Sequence, residues 1–244
     1  MTALDDPSSR SFARLAGSLY LLIGFAGVFS IIWVPSQLTV SGDPFGTAAL
    51  IAQRRGLFAA GVGADVVLML AEVMLSVMLY AMFRSHGHVL ALTAAAARLL
   101  MVAVMAAMLL PQAGILALVA QDTQFVALDA DQRAEIAWVL REVHDSGVLV
   151  WQAFFTLHLW TLGVLAWRSE SVPRLLAAGL AIGGTGYLAA SVHAFQFPQI
   201  VAPGVVAMIL LAVAALSEIG FAIWLLARGR IPARQTGTGG RTSA

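Results

Sequence analysis

The chain has no cysteine and no lysine, and charged residues of either sign are scarce. Of its 244 residues, 11% are charged and 60% are hydrophobic, whereas a soluble domain has about 25% charged and about 45–50% apolar residues. The absence of cysteine excludes disulfides, thiolate metal sites and thiol catalysis. The scarcity of charge excludes a water-soluble domain.

Six apolar stretches are long enough to cross a membrane, for which a helix needs about 20 apolar residues. They are residues 15–34, 57–83, 89–119, 147–167, 175–194 and 205–227. The third contains Pro111, where a bend is expected. We therefore predict an all-α polytopic transmembrane bundle of about six spanning helices. Residues 15–228 form its single membrane domain, between an N-terminal tail of residues 1–14 and a disordered tail of residues 229–244.

The arginines divide unevenly between the two sides of these stretches. Nine lie on the side of the N-terminus, four lie on the other side, and Arg98 lies inside the third stretch. Short loops that are rich in arginine remain in the cytoplasm. We therefore predict that both termini are cytoplasmic, in a multi-pass protein of the bacterial cytoplasmic (inner) membrane. Its expected partners are membrane lipids and a lipid-like or small-molecule ligand, and we expect no nucleic acid.

Residues 129–145, between the third and fourth stretches, have the pattern of an amphipathic helix. Asp129 and Gln132 match a helix start in which the side chain of each residue accepts a hydrogen bond from the backbone N–H of the other. Apolar residues recur at helical spacing from Ile136 onward. This helix either lies on the outer surface or continues straight into the fourth span. Its acidic residues form either a solvated face or a mouth that attracts cations.

Four helices each carry an ionisable residue at a similar depth. Counted at 1.5 Å per residue from the nearest marker on the N-terminal side, these residues lie about 15–18 Å into the membrane. They are Glu72, Arg98, His158 and Glu218. A charge inside a spanning helix costs about 2.5–3.5 kcal/mol on insertion scales, so these residues are candidates for a functional site.

A second polar layer lies nearer the outer interface. Asp65 and His193 are about 28 Å from the inner marker by the same rise, with His144 and Asp145 slightly beyond. Bis-histidine haem is disfavoured, because His158 and His193 differ in depth by about 13 Å. The outer residues suit zinc by type, but their spacing matches no ligand motif. We therefore expect no cofactor and no metal.

Arg98 can neutralise only one of the two central carboxylates. The simplest interpretation is a structural ion pair between Arg98 and either Glu72 or Glu218, which holds the bundle together. The remaining negative charge must then be met by a protonated acid, by His158 as a cation, or by a bound ligand. The sharper hypothesis is that Glu72 or Glu218 holds a proton that it can give up.

Three functional hypotheses follow from these residues. The first is an intramembrane acid–base enzyme acting on a lipid-like or isoprenoid-like substrate. Its catalytic residues would be Glu72, Glu218, Arg98 and His158, and its substrate contacts would be Asp65, Trp151, Phe155, Tyr187 and His193. The second is a proton-coupled carrier of a small solute, although the internal repeat of many carriers is missing. The third is a non-catalytic membrane scaffold or sensor with structural ion pairs.

A series of short motifs runs along the chain over roughly residues 10–230. They are Arg14-Leu15-Ala16-Gly17 with Tyr20-Leu21, Asp65, Arg98, Phe154-Phe155 followed by His158, Pro173-Arg174, Gly186-Tyr187-Leu188, and Glu218. Their order and spacing resemble a bacterial family of polytopic proteins catalogued as a domain of unknown function, number four-three-eight-six. The resemblance implies a membrane fold of six to seven helices and implies no activity.

Overall fold

The computed structural model describes residues 6–120 and 125–232, and the regular elements in these ranges are all helical. In chain order they are α1, Arg10–Gly27; a π-helical turn, Val28–Trp33; α2, Val34–Leu38; α3, Pro44–Gln53; α4, Arg55–Phe83; a 3-10 turn, Arg84–His86; α5, His88–Leu118; α6, Ala130–Ser169; α7, Arg174–Gln196; and α8, Val201–Ala227. Residues 233–244 of the predicted disordered tail lie outside the described ranges.

Six helical segments of the described chain are long and apolar enough to cross a membrane. The first runs from Arg10 to Leu38 through α1, the π turn and α2, and α4 to α8 supply the other five. This confirms the predicted all-α bundle of about six transmembrane helices. The α3 helix has 10 residues and is too short to span. The cytoplasmic location of the termini stays a prediction.

The α6 helix is unusually long, with 40 residues. At its start the Asp129 side chain accepts from the Gln132 backbone, and the Gln132 side chain accepts from the Asp129 backbone. This is the capping arrangement that the sequence predicted. The amphipathic segment does not lie apart on the surface but continues into the fourth span, and α6 also packs against α3.

The spans form a closed ring in chain order. The α1 helix packs on α4, each later span packs on the next, and α8 packs on α1. Because each span crosses from one side to the other, six spans return the chain to the side where it began. We call the end of the bundle that carries α1's first residues and α8's last residues the near end, and the opposite end, beside α2 and α3, the far end.

The α7 and α8 helices approach closely because glycines of α7 face the α8 backbone. A Cβ atom added to Gly183 would lie 2.4 Å from the backbone nitrogen of Ala214, and one added to Gly186 would lie 2.6 Å from the α8 backbone. In lipid, helix association depends on such packing, since lipid tails are as apolar as leucine. The glycines therefore fix the seam beside which Glu218 lies.

Candidate functional site

Arg98 lies at the centre of the bundle and is fully buried. Its Nε donates to the Glu72 carboxylate. Its Nη1 donates to the Tyr20 hydroxyl over 3.3 Å and to His158 Nε2 over 2.8 Å. Side chains of α1, α4, α5 and α6 thus meet at one guanidinium. The ion pair of Arg98 is made with Glu72 and not with Glu218, which answers a question that the sequence left open.

The hydrogen bonds of His158 allow one position for its ring hydrogen. Nδ1 lies 2.9 Å from the carbonyl oxygen of Ala94, which can only accept, and Nε2 faces Arg98 Nη1, which can only donate. Nδ1 therefore carries the hydrogen and Nε2 accepts. His158 is a neutral imidazole in this arrangement, so it does not supply the second positive charge that was one of the three alternatives.

Two aromatic rings enclose the guanidinium of Arg98. Its Cζ lies 5.0 Å from the centre of the Tyr20 ring and 5.6 Å from the centre of the Phe155 ring. Phe155 also stacks on His158, with ring centroids 5.7 Å apart. Such contacts stabilise a desolvated cation. We call Tyr20, Glu72, Arg98, Phe155 and His158 the central cluster. All five side chains are buried, so the cluster is closed to solvent.

Glu218 lies beside the central cluster but is not part of its ion pair. Its Oε1 accepts from the Tyr187 hydroxyl over 3.4 Å, and the residue is only partly buried. Tyr187 contacts Phe155, with ring centroids 4.9 Å apart. Within the described ranges, no cationic side chain lies within 4.0 Å of the Glu218 carboxyl. The four ionisable residues that the sequence places at one depth therefore do not form one site: Glu72, Arg98 and His158 belong to the central cluster, and Glu218 lies apart from it.

A cavity of about 160 Å³ lies toward the far end of the bundle. The π turn, the α2–α3 segment and helices α4, α5 and α6 surround it. Its wall is mostly apolar, and its polar side chains include Ser30, Asp65, Gln112 and His144. We call this space the far cavity. Two of the residues predicted to contact substrate, Asp65 and Trp151, line it.

Asp65 and Ser30 bring unpartnered polar atoms to the far cavity. They are 8% and 7% exposed. Ser30 and Gln112 are polar neighbours of the Asp65 carboxyl, but neither Asp65 Oδ1 nor Ser30 Oγ has a hydrogen-bond partner among the described residues. Leaving one buried polar atom unpaired costs about 1–3 kcal/mol. Two such atoms at one cavity mark a place where a ligand can supply the missing partners.

The π-helical turn explains why Ser30 faces inward. A π turn shifts the helix face on which the following residues lie, and such turns are frequent at functional sites. Within the turn Val28–Trp33, the buried residue is Ser30. Ile32, two residues further on, is exposed, whereas Ser30 and Ile31 line the far cavity. The irregular turn therefore places a buried hydroxyl at the same cavity as Asp65.

His144 forms the other polar wall of the far cavity. Its Nδ1 lies 3.1 Å from the carbonyl oxygen of Met108, so this nitrogen carries the hydrogen. The amide nitrogen of Gln112 lies 3.2 Å from both ring nitrogens and donates to Nε2. His144 therefore contacts α5 through both of its ring nitrogens, as His158 does.

Trp151 connects the far cavity with the central cluster. Its ring centroid lies 6.0 Å from that of Phe155 and 6.1 Å from that of Tyr187. His193, the remaining residue predicted to contact substrate, does not line the far cavity. Its Nε2 lies 2.7 Å from the carbonyl oxygen of Ile200, so it holds the α7–α8 turn. In the part of the chain that the structure describes, no three histidine or acidic side chains are placed to hold a metal.

Three residues of these sites were not among the predicted site residues. Tyr20 lies ten residues from Arg10, so the depth count used for the other helices would have placed it level with Arg98. Gln112 is a polar residue within an apolar stretch, which is a usable signal. Ser30 gives no comparable signal, because its inward position depends on the π turn.

A family comparison matches residues 15–229 to the family described as Domain of unknown function (DUF4386). The chain belongs to the DUF4386 family. This confirms the resemblance carried by the sequence motifs. No curated protein and no solved structure shows a significant match. Membership of DUF4386 brings no activity with it.

Proposed function

We propose that this integral membrane protein is a proton-coupled carrier of a small solute, with the far cavity as its binding site. The observation that carries the proposal is the buried Asp65 carboxyl, whose Oδ1 has no hydrogen-bond partner among the described residues and which lines a cavity of suitable size. Ionisable residues inside membrane proteins commonly mark substrate pathways and proton relays. Asp65 is therefore assigned to solute and proton binding.

The size of the far cavity favours a small solute over a whole lipid. A cavity of about 150 Å³ accommodates benzene, and drug-sized ligands occupy about 300–1,000 Å³. The far cavity, at about 160 Å³, therefore suits a molecule about as large as one aromatic ring. A lipid-like or isoprenoid-like molecule would place at most one end of itself there.

The central cluster supplies the barrier that a carrier needs. Glu72 follows Asp65 by seven residues on α4, or about 10 Å along the helix axis. The guanidinium, the imidazole and two aromatic rings close the bundle at that depth. Transport then requires that the cluster open while the far cavity closes. We further propose that the far end faces the outside of a bacterial cytoplasmic membrane, as the arginine distribution predicts.

Proteoliposomes containing a pH dye inside test this proposal. A panel of small solutes, consisting of benzylamine, benzyl alcohol and benzoate, is added outside, and solute uptake and internal pH are recorded. At least one solute should move together with a change in internal pH, and Asp65→Asn should abolish that flux. The matched control Asp131→Asn makes the same change at an exposed far-end position and should keep the flux. A panel without any protein-dependent flux would contradict the carrier.

A second candidate function is the intramembrane acid–base enzyme, and Glu218 is the observation that favours it. Glu218 is a partly buried residue of the transmembrane helix α8, and its carboxyl accepts a hydrogen bond from the Tyr187 hydroxyl. A carboxyl without a cationic partner in an apolar medium favours its neutral form, which can protonate a lipid-like substrate. Native mass spectrometry of the purified protein separates the two functions. A co-purifying lipid that Glu218→Gln loses and Asp65→Asn keeps would support the enzyme.

A further inference from the structure

Asp65 has no ion-pair partner in the part of the chain that the structure describes. No cationic side chain in the described ranges lies within 4.0 Å of its carboxyl. Arg141 lines the same cavity, but its guanidinium is directed to Asp145, with Nε 3.7 Å from Oδ2. A buried carboxylate without a counter-charge is strongly disfavoured. Asp65 therefore needs either a proton or a cation from outside the chain.

Three polar side chains face Asp65 from neighbouring elements. Ser30 faces it from the π turn, Gln112 from α5 and His144 from α6. Ser30 and Gln112 can donate hydrogen bonds but carry no charge. The His144 ring contacts the Met108 carbonyl and the Gln112 amide, and among the described residues it forms no ion pair with Asp65.

The rest of the far cavity suits an apolar body attached to a cation. Phe58, Trp138 and Trp151 contribute aromatic rings to its wall, and Met69 and Met105 contribute polarisable thioethers. The electron-rich face of an aromatic ring attracts an organic cation. The flexible methionine side chain adapts to irregular apolar shapes. Asp65 supplies a buried acidic group to this mostly apolar wall, and the second acidic group, Asp145, is half exposed and paired with Arg141. Such a wall is complementary to a small amphipathic cation.

The far end of the bundle carries more acidic residues than arginines. Among the described residues of the far end, six are acidic, at Asp43, Asp129, Asp131, Glu135, Glu142 and Asp145, against four arginines, at Arg54, Arg55, Arg133 and Arg141. The near end carries seven arginines and two acidic residues in the same ranges. A surface with a net negative charge raises the local concentration of cations. Cations are therefore favoured at the end where the cavity lies.

We propose that the solute of the far cavity is a small organic monocation, a protonated amine with an apolar body, which exchanges with a proton on Asp65. The proposal rests on the carrier function proposed above and names its substrate class. In the exchange, the ammonium enters as the Asp65 carboxylic acid releases its proton, so that one positive charge replaces another. Because one carboxylate cannot hold both, binding of the cation and of the proton exclude each other.

Binding of benzylamine to the full-length protein in nanodiscs, measured by calorimetry, tests this exchange. In the pH range where Asp65 takes up its proton, the apparent affinity should fall by about tenfold for each unit of decreasing pH. Asp65→Asn should weaken benzylamine binding at least tenfold and remove this pH dependence. His144→Gln should keep the dependence, which shows that the imidazole is not its source.

Benzyl alcohol, a neutral compound of the same shape, is the matched ligand. Asp65→Asn should still bind it, which shows that the cavity is intact, and Glu142→Gln, an exposed acid of the far end, should bind both compounds as the unmodified chain does. If benzyl alcohol binds the unmodified protein as tightly as benzylamine, or Asp65→Asn retains benzylamine, the cation inference is overturned while the carrier proposal stands. If neither compound binds but benzoate shows protein-dependent flux, the cation inference alone is overturned, and if none of the three shows protein-dependent flux, both proposals fail.

Discussion

His144 and His158 contact α5 in the same manner, fourteen residues apart on α6. Each is placed to donate from Nδ1 to an α5 carbonyl and to accept at Nε2 from an α5 side chain. The α5 partners are also spaced by fourteen residues; they are the carbonyls of Met108 and Ala94 and the side chains of Gln112 and Arg98. The two antiparallel helices thus form two polar layers, one beside the far cavity and one in the closed central cluster.

Replacing Arg98 by methionine leaves the Glu72 carboxylate buried without a partner. We expect the free energy of unfolding of the solubilised protein to fall by about 3–5 kcal/mol, the usual cost of breaking a buried pair. The double variant Arg98→Met/Glu72→Gln removes both charges and should regain most of this loss. Denaturant titration followed by tryptophan fluorescence measures both. A double variant as unstable as Arg98→Met would show that the pair does not explain the effect.

Ser30→Ala removes a buried hydroxyl that has no hydrogen-bond partner among the described residues, so we expect the ligand-free protein to become more stable by up to about 1 kcal/mol. The matched control is Ser76→Ala. The Ser76 hydroxyl is also buried but donates to the carbonyl oxygen of Ala95 over 3.1 Å, so its removal should destabilise by about 1 kcal/mol. The two midpoints of thermal unfolding should therefore shift in opposite directions. Equal losses in both variants would mean that Ser30 has a partner in the folded protein.

Gly183→Ala adds a Cβ where the α8 backbone lies at 2.4 Å, so α7 and α8 must separate. We expect a lower thermal midpoint and faster cleavage by added protease. Gly63→Ala is the control, because its added Cβ has no heavy atom within 4 Å and alanine favours the helix by about 1 kcal/mol. Gly63→Ala should be neutral or stabilising. A Gly183→Ala protein with unchanged stability would argue against the close α7–α8 contact.

The absence of cysteine makes the predicted orientation directly measurable. Val126→Cys places a thiol at an exposed far-end position and Ser85→Cys places one at an exposed near-end position. With a membrane-impermeant maleimide added to intact cells, we expect Val126→Cys to react and Ser85→Cys to react only after permeabilisation. The opposite labelling pattern would place the termini outside the cell and would move the far cavity to the cytoplasmic side.

The bundle was predictable because its causes are local in the sequence. Apolar runs of spanning length, the capping pair Asp129 and Gln132 and the depth of each polar residue all follow from counting along one chain segment. The same count brings Glu72, Arg98 and His158 to one level. It fails at Glu218, whose depth matches theirs but whose helix face and neighbours separate it from Arg98.

The sequence by itself thus determined the helical membrane class, the number of spans and the depths at which polar residues lie. The tertiary structure alone decided that Arg98 pairs with Glu72, that His158 is a neutral acceptor, and that Asp65 meets Ser30 at a cavity. These features depend on how each helix is rotated and packed against its neighbours in the bundle. The position of Ser30 also depends on the π turn in which it lies. The burial of a polar side chain can be predicted from the sequence of its own helix. Its partner lies on another helix, so the pair is determined only when the helices pack.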